Sequence, residues 1–188
     1  MFEREPITAG ELMDKQFLPK PVIVEGMLPA GTYILAGTPK IGKSFLMTQL
    51  CWSVAEGIPF LGLATRKSTV LYLALEDTQE RLQSRLARMF GTDWSGSEFH
   101  LLFQINQQGD ALIQQFQDFI LAHPDTRLIV IDTLQRVRES DGSSYSYSHD
   151  YETILPLKTF ADAYDVALIV VHHTRKNEDD DNLFNQIS

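Results

Sequence analysis

The sequence has little of the features that would point to export or to a membrane. It contains one cysteine, Cys51, so no disulfide can form within the chain, which fits the reducing cytoplasm. The longest apolar runs, such as ALIVV at 167–171, have the length of a strand and are too short to span a membrane. The N-terminal MFEREPITAG is charged and lacks the apolar stretch of a secretory signal. We therefore expect a cytoplasmic protein with no membrane partner.

Basic residues are outnumbered by acidic ones. Lysine and arginine together number 16 against 25 aspartates and glutamates, which gives a net charge of −9 at pH 7. This charge argues against a protein that coats nucleic acid non-specifically, although it permits local basic loops in an assembled ring. The 188 residues, of which 44% are hydrophobic, suffice for one domain with a core of normal size.

Apolar segments of strand length alternate with helical patterns along the chain. We predict strands at 22–25, 32–37, 68–75, 99–103, 127–132 and 167–171. We predict helices at 8–14, 43–56, 78–90, 111–123 and 151–165. Pro156 is expected to bend or interrupt the start of the last helix. Strands that are apolar throughout and separated by helices are typical of an α/β fold, with a mostly parallel central sheet and helices on both faces.

A phosphate-binding motif lies between the second strand and the second helix. Its residues are Gly37, Thr38, Pro39, Lys40, Ile41, Gly42, Lys43 and Ser44, which match G-x-x-x-x-G-K-[ST]. Glycines let the backbone wrap a phosphate, and the backbone N–H groups at the helix start supply partial positive charge. Lys43 is expected to reach the β- and γ-phosphates, and Ser44 to offer its hydroxyl to Mg²⁺. We include Phe45 in the nucleotide-binding stretch.

The alternative is a glycine-rich turn with no ligand, but the strand before the motif and the helix after it favour a phosphate loop. Lys40 is open to two interpretations, as a phosphate contact or as a solvated loop residue.

Acidic residues follow two of the buried strands. Asp132 ends the LIVID run, and ligands of parallel sheets lie outside the carboxyl ends of the strands. There it would hold Mg²⁺ through a water, whereas the alternative is an aspartate that starts a turn. Glu76 follows VLYLAL, where ATP hydrolysis needs a group that activates or positions water. Alternatively, Glu76 and Asp77 only begin the next helix, where acidic groups suit the helix dipole, and Asp77 fits that alternative better.

Two histidines, His172 and His173, end the last strand. A polar group at this position can contact the γ-phosphate and detect hydrolysis, whereas the alternative is a core or surface histidine. Neighbouring strand residues point to opposite faces of a sheet, so this pair is poorly suited to chelate one metal ion. The residues leave open which histidine is the sensor. Arg175 and Lys176 then form a loop that either faces nucleic acid or a neighbouring subunit, or is simply solvated.

Four segments together resemble a known family. The stretches AGTPKIGKSFL, VLYLALEDTQERLQSRL, LIVIDTLQRVR and VALIVVHHTRK are similar to those of a RecA-type P-loop ATPase core. More narrowly, they resemble the RepA-like hexameric helicase family, the AAA family ATPases of plasmids, phages and integrated elements. The resemblance runs from about residue 22 to residue 176. It implies a three-layer RecA-like fold at 22–176, an N-terminal segment at 1–21 and a flexible tail at 177–188.

The resemblance also implies a function and a set of roles. The protein would be an ATP-driven homo-oligomer, a hexameric ring on single-stranded DNA, with ATP and Mg²⁺ as ligands. Lys43 and Ser44 would bind phosphate and Mg²⁺, Asp132 would bind Mg²⁺, and Glu76 would activate water. His172 or His173 would sense the γ-phosphate. The segments after Asp132 and after His173 would face the pore, the first through Gln135, Arg136 and Arg138, for which the alternative is a solvated helix start.

One departure from the family bears on activity. In the family, the segment after HHTRK continues into a Gly/Ser-rich stretch, further strands and an arginine finger, whereas this sequence stops at NLFNQIS. The resemblance therefore implies an incomplete core in which nucleotide binding survives better than hydrolysis. An ATP-dependent regulator or scaffold without unwinding activity is the main rival function. A small-molecule or nucleotide kinase is disfavoured, because the sequence has no arginine-rich lid.

Overall fold

The computed structural model describes residues 6–93, 95–105, 111–139 and 147–174. Their elements in chain order are α1 (Ala9–Asp14), β1 (Val22–Val24), β2 (Leu28–Pro29), β3 (Gly31–Gly37), α2 (Lys43–Glu56), β4 (Thr69–Ala74), α3 (Gln79–Phe90), β5 (Phe99–Leu102), α4 (Ala111–Ala122), β6 (Thr126–Asp132), α5 (Leu134–Glu139), α6 (Tyr147–Tyr164) and β7 (Ala167–His173). The predicted α2 has the observed bounds, and each predicted strand overlaps an observed one.

The central sheet has five strands in the order β3-β7-β6-β4-β5. Every neighbouring pair in it is parallel. A separate two-stranded antiparallel pair is formed by β1 and β2. The predicted mostly parallel α/β sheet is confirmed, and its strand order places the phosphate-loop strand β3 next to the last strand, β7.

The core consists of two clusters, one on each face of the sheet. On one face, which we call the α2 face, α2 residues pack on strand residues such as Tyr72, Val130 and Val171. On the other, the α6 face, α4 and α6 pack on Leu73 and Val170, among others. Burial on both faces explains why the strands are apolar throughout. Side chains alternate between the faces, so their position in each strand decides which helix they meet.

Local sequence signals account for several helix ends. Thr8 caps α1 in a reciprocal capping box with Glu11. Thr78 caps α3 by accepting a hydrogen bond from the backbone N–H of Arg81. At its C-terminus α2 ends on Gly57, which has a φ of 71°. This left-handed conformation suits glycine and stops the helix there.

Three features differ from the sequence-based prediction, and the first is the two-residue strand β2, which was not predicted. Helix α6 begins at Tyr147 and continues through Pro156, so the predicted interruption is wrong. Buried side chains of Leu157, Phe160 and Ala161 hold this part of the helix on the sheet, and such packing offsets the hydrogen bond that proline removes. The six-residue helix α5 was not predicted as a separate element, because so short a segment has little periodicity.

Candidate nucleotide-binding site

The strand register brings the predicted site residues to one edge of the sheet. Gly37 of β3 pairs with His173 of β7. Asp132 of β6 lies opposite Ala74 of β4 and Val171 of β7. The carboxyl ends of four parallel strands therefore meet, and Glu76 follows two residues after Ala74. This edge is where ligands of open α/β sheets bind.

The phosphate loop has the backbone that its glycines predict. Gly42 precedes α2 with a φ of 93°, a left-handed conformation that favours glycine. At Gly37, a Cβ atom would lie 2.6 Å from Cδ1 of Ile41, so the exposed Ile41 side chain would have to move to admit a larger residue. Because Gly42 caps α2 without a side chain, the N–H groups of the first turn remain available to an anion.

Lys43 lies inside this loop and is 6% exposed. Its Nζ donates to the carbonyl oxygens of Gly37 and Thr38, both at 2.8 Å. Nζ is also 3.0 Å from Nδ1 of His173. Since an ammonium group only donates, Nδ1 is assigned as the acceptor and the proton of the neutral ring is placed on Nε2.

Glu76 lies at the other side of the His173 ring. Its Oε2 is 3.4 Å from Nε2 of His173, a long contact at the rim of the site. Its Oε1 accepts a hydrogen bond of 2.7 Å from the hydroxyl of Thr133, which is fully buried. Lys43, His173, Glu76 and Thr133 thus form one connected series of contacts. Sequence reasoning missed Thr133, although its position directly after Asp132 at a strand end was a usable signal.

Asp132 is 5% exposed, and its two oxygens have different surroundings. Oδ2 accepts a hydrogen bond of 2.6 Å from the hydroxyl of Tyr72. Oδ1 is buried and has no hydrogen-bond partner among the residues that the structure describes. Burial, and next the charge of Asp132, raises the pKa of the Tyr72 phenol well above its ordinary value, so the phenol remains a donor. Tyr72 was also missed, although it is the one polar side chain within VLYLAL.

The donor set at this edge fits Mg²⁺. Mg²⁺ prefers hard oxygen ligands and is held in nucleotide sites by one or two protein groups together with phosphates and waters. Oδ1 of Asp132 and the partly exposed hydroxyl of Ser44 meet this requirement. Within the described ranges, no three His, Cys, Asp or Glu side chains gather into a metal-binding group.

The two histidines face different helices. His173 continues the β7 residues of the α2 face, whereas His172 continues those of the α6 face. His173 therefore meets Lys43 and Glu76, and His172 is not brought to them. The geometry thus distinguishes two residues that the sequence left equivalent, although the sensor role itself stays a prediction.

The side chains of Asp77 and Phe45 both contact Arg85 of α3. Oδ2 of Asp77 forms an ion pair with Nη2 of Arg85 at a distance of 2.6 Å. The same guanidinium lies 4.9 Å from the centre of the Phe45 ring, a cation–π geometry. Asp77 therefore pairs with α3, whereas Glu76 contacts Thr133 and His173. Lys40 is exposed and has a φ of 66°, so its phosphate contact stays a prediction.

The predicted pore-facing residues are only partly described. Gln135 is half-buried and Arg136 exposed on α5. The side chain of Arg138, and the whole of Arg175 and Lys176, lie outside the described residues. In the part of the chain that the structure describes, no helix is both long and apolar enough to cross a membrane.

Comparison with known proteins identifies the family of the chain. The AAA domain family matches residues 2–179 of the chain. The DNA repair protein RadA of Streptococcus pyogenes (serotype M6) is 28% identical over 157 residues, which are 82% of this chain but only 30% of that protein.

Two solved structures share the fold. A KaiC-like protein from Pyrococcus horikoshii OT3 has a TM-score of 0.61 and 20% identity over 81% of this chain and 65% of that one. The second is an ATPase domain, with a TM-score of 0.63 and 16% identity over 80% of this chain and 60% of that one. The predicted resemblance to RecA-type P-loop ATPases is confirmed. The chain belongs to the AAA domain family and has the fold of a RecA-type P-loop ATPase.

Proposed function

We propose that the chain binds and hydrolyses Mg²⁺-ATP as the motor domain of a replicative-helicase-type protein of a mobile element. The observation that carries the hydrolytic part is the series of contacts from Lys43 through His173 and Glu76 to Thr133. It joins Lys43, the cation proposed to bind phosphate, to a carboxylate that is partly exposed and therefore accessible to water.

ATP binding falls to the phosphate loop and the start of α2. The first-turn N–H groups of α2 and the Lys43 ammonium would bind the β- and γ-phosphates. Ser44, and Asp132 through a water, would hold the Mg²⁺, which when bound offsets phosphate charge. The bound phosphates would compete with the carbonyls of Gly37 and Thr38 for the Lys43 donors.

Hydrolysis requires a group that positions and deprotonates water. Glu76 has this role in our proposal, and Thr133 fixes one of its oxygens at 2.7 Å. His173 donates through Nε2 to the other oxygen and accepts from Lys43 through Nδ1. A displacement of the Lys43 side chain on loss of the γ-phosphate would therefore be transmitted to Glu76 through the His173 imidazole. This is the basis for proposing His173 as the sensor.

The DNA and ring parts of the proposal have separate support. The RadA relatives are DNA repair proteins by name. The family resemblance points to a hexameric ring around single-stranded DNA, with Gln135 and Arg136 near the pore. The start of α5 at Leu134, two residues after Asp132, supports a position of these two residues near the proposed catalytic edge. The predicted cytoplasmic location is consistent with this role and stays a prediction.

The decisive experiment is ATP hydrolysis measured against protein concentration, with and without single-stranded DNA. Lys43→Ala and Glu76→Gln serve as active-site controls. A rate that rises steeply with concentration, increases with DNA and is lost in both variants supports a ring motor. Tight ATP binding, with slow hydrolysis whose rate does not change when DNA is added, supports the ATP-dependent regulator or scaffold. Absence of ATP binding would refute the proposed function.

A further inference from the structure

One buried phenol connects the core of the sheet to the predicted metal site. Tyr72 lies in the middle of β4, is fully buried and faces α2. Its hydroxyl donates to Oδ2 of Asp132 at 2.6 Å. Thr48 of α2 is fully buried, and its hydroxyl donates to the carbonyl oxygen of Ser44 at 2.7 Å. The two residues predicted to bind Mg²⁺ thus each accept a hydrogen bond from a buried hydroxyl, Asp132 through Oδ2 and Ser44 through its backbone carbonyl.

The contact distinguishes the two oxygens of the Asp132 carboxylate. Oδ2 is engaged by Tyr72, whereas Oδ1 is buried without a hydrogen-bond partner in the described part of the chain. A carboxylate can rotate about its last side-chain bond unless a partner fixes it. A hydrogen bond to a charged oxygen in a buried site is strong enough to select one orientation.

We propose that Tyr72 is a positioning residue of the Mg²⁺ site: by fixing Oδ2 of Asp132, it keeps Oδ1 directed to the metal-bound water. The inference rests on the proposed binding of Mg²⁺-ATP and deepens it. Outer partners of metal-binding groups commonly alter metal affinity about 10- to 100-fold when they are removed.

A purely structural role is the competing explanation, and the hydroxyl can be tested apart from the ring. The Tyr72 ring packs edge-on against Phe99, with centroids 6.3 Å apart and an interplanar angle of 86°. Tyr72→Phe retains this packing and removes only the donor to Asp132. Tyr33→Phe is a matched control, because the Tyr33 hydroxyl donates to the carbonyl of Pro29 at 2.8 Å and contacts no predicted metal-binding group.

The test compares the affinity for a fluorescent ATP analogue, mant-ATP, in Mg²⁺ and in EDTA. In wild type, Mg²⁺ is expected to tighten binding. In Tyr72→Phe, the affinity in EDTA should be unchanged, whereas the gain from Mg²⁺ should fall about tenfold or more. Tyr33→Phe should behave as wild type. In an Asp132→Asn background, Tyr72→Phe should cause no further loss, because the two residues act as a unit.

The outcomes separate the two hypotheses. An unchanged Mg²⁺ gain in Tyr72→Phe, or an equal loss of affinity in Mg²⁺ and in EDTA, overturns the positioning role while leaving ATP binding intact. A wild type that does not bind mant-ATP under either condition overturns both.

A second measurement avoids the risk that Tyr72→Phe folds poorly. With 3-fluorotyrosine incorporated at position 72 alone, the ¹⁹F resonance should shift when Mg²⁺ is added to the ATP complex. An unmoved resonance would contradict the inference.

Discussion

Replacement of His173 by alanine is the substitution whose effect on hydrolysis the structure defines in most detail. Two contacts disappear together, one between Nδ1 and Nζ of Lys43 at 3.0 Å and one between Nε2 and Oε2 of Glu76 at 3.4 Å. The His173 side chain is 23% exposed, so the first contact is largely shielded from water. Glu76, at 40% exposure, is more open to solvent. The Lys43 contact should therefore account for most of the effect.

The size of the effect follows from these two contacts. A hydrogen bond to a charged group contributes about 1.5–3 kcal/mol in a protein, and we take about 2 kcal/mol for the Lys43 contact. The longer and more exposed contact to Glu76 adds roughly 0–1 kcal/mol. If both are needed in the transition state, kcat should fall about 30- to 150-fold. ATP affinity should change less, because Lys43 and the first-turn N–H groups of α2 remain to bind the phosphates.

The assay is steady-state ATP hydrolysis together with mant-ATP binding, for wild type, His173→Ala and His172→Ala. The second variant removes the neighbouring ring from the α6 face, where it does not reach Lys43. A larger loss of kcat in His172→Ala than in His173→Ala would refute the assignment. An unchanged kcat in His173→Ala would refute the idea that this ring connects Lys43 to Glu76. A loss confined to ATP affinity would mean that His173 acts only in binding.

Three further predictions follow from single residues. Glu76→Gln should retain ATP binding but lower the hydrolysis rate roughly 10²- to 10⁴-fold, whereas a rate near wild type would exclude Glu76 as the base. Thr78→Ala should lower the free energy of unfolding by about 1 kcal/mol in chemical denaturation because α3 loses its cap, and Thr78→Ser should not. Burial raises the pKa of the Cys51 thiol well above its ordinary value of 9.0. The folded chain then keeps a proton that the unfolded chain releases, so stability should fall as the pH rises from about 8 to about 10, and less steeply in Cys51→Ala. Equal slopes for the two proteins would contradict this.

Local sequence was sufficient for the elements whose signals are local. The bounds of α2 were predicted because a glycine lies at each end of it. In the structure, Gly42 and Gly57 both have the left-handed backbone conformation that favours glycine. The strands were predicted because burial on both faces leaves long apolar runs with little alternation. Prediction was weaker at Pro156, where packing of the following turn against the sheet keeps the helix continuous. A helix-breaking residue is a local signal, whereas its compensation is tertiary.

The sequence by itself determined the phosphate loop, because G-x-x-x-x-G-K-S encodes its chemistry within eight consecutive residues. It also placed Glu76, Asp132 and the two histidines at strand ends. Only the tertiary structure decided which of these groups touch. The register that pairs Gly37 with His173, and the alternation that turns His172 to the opposite face, depend on a crossover between strands far apart in the chain.

The same reason explains the contributions of Tyr72 and Thr133. Their partners, Asp132 and Glu76, are 60 and 57 residues away in sequence. Within its own strand, Tyr72 looks like any other buried aromatic residue. It becomes part of the site because β4 and β6 are neighbours and both direct their even-numbered side chains towards α2.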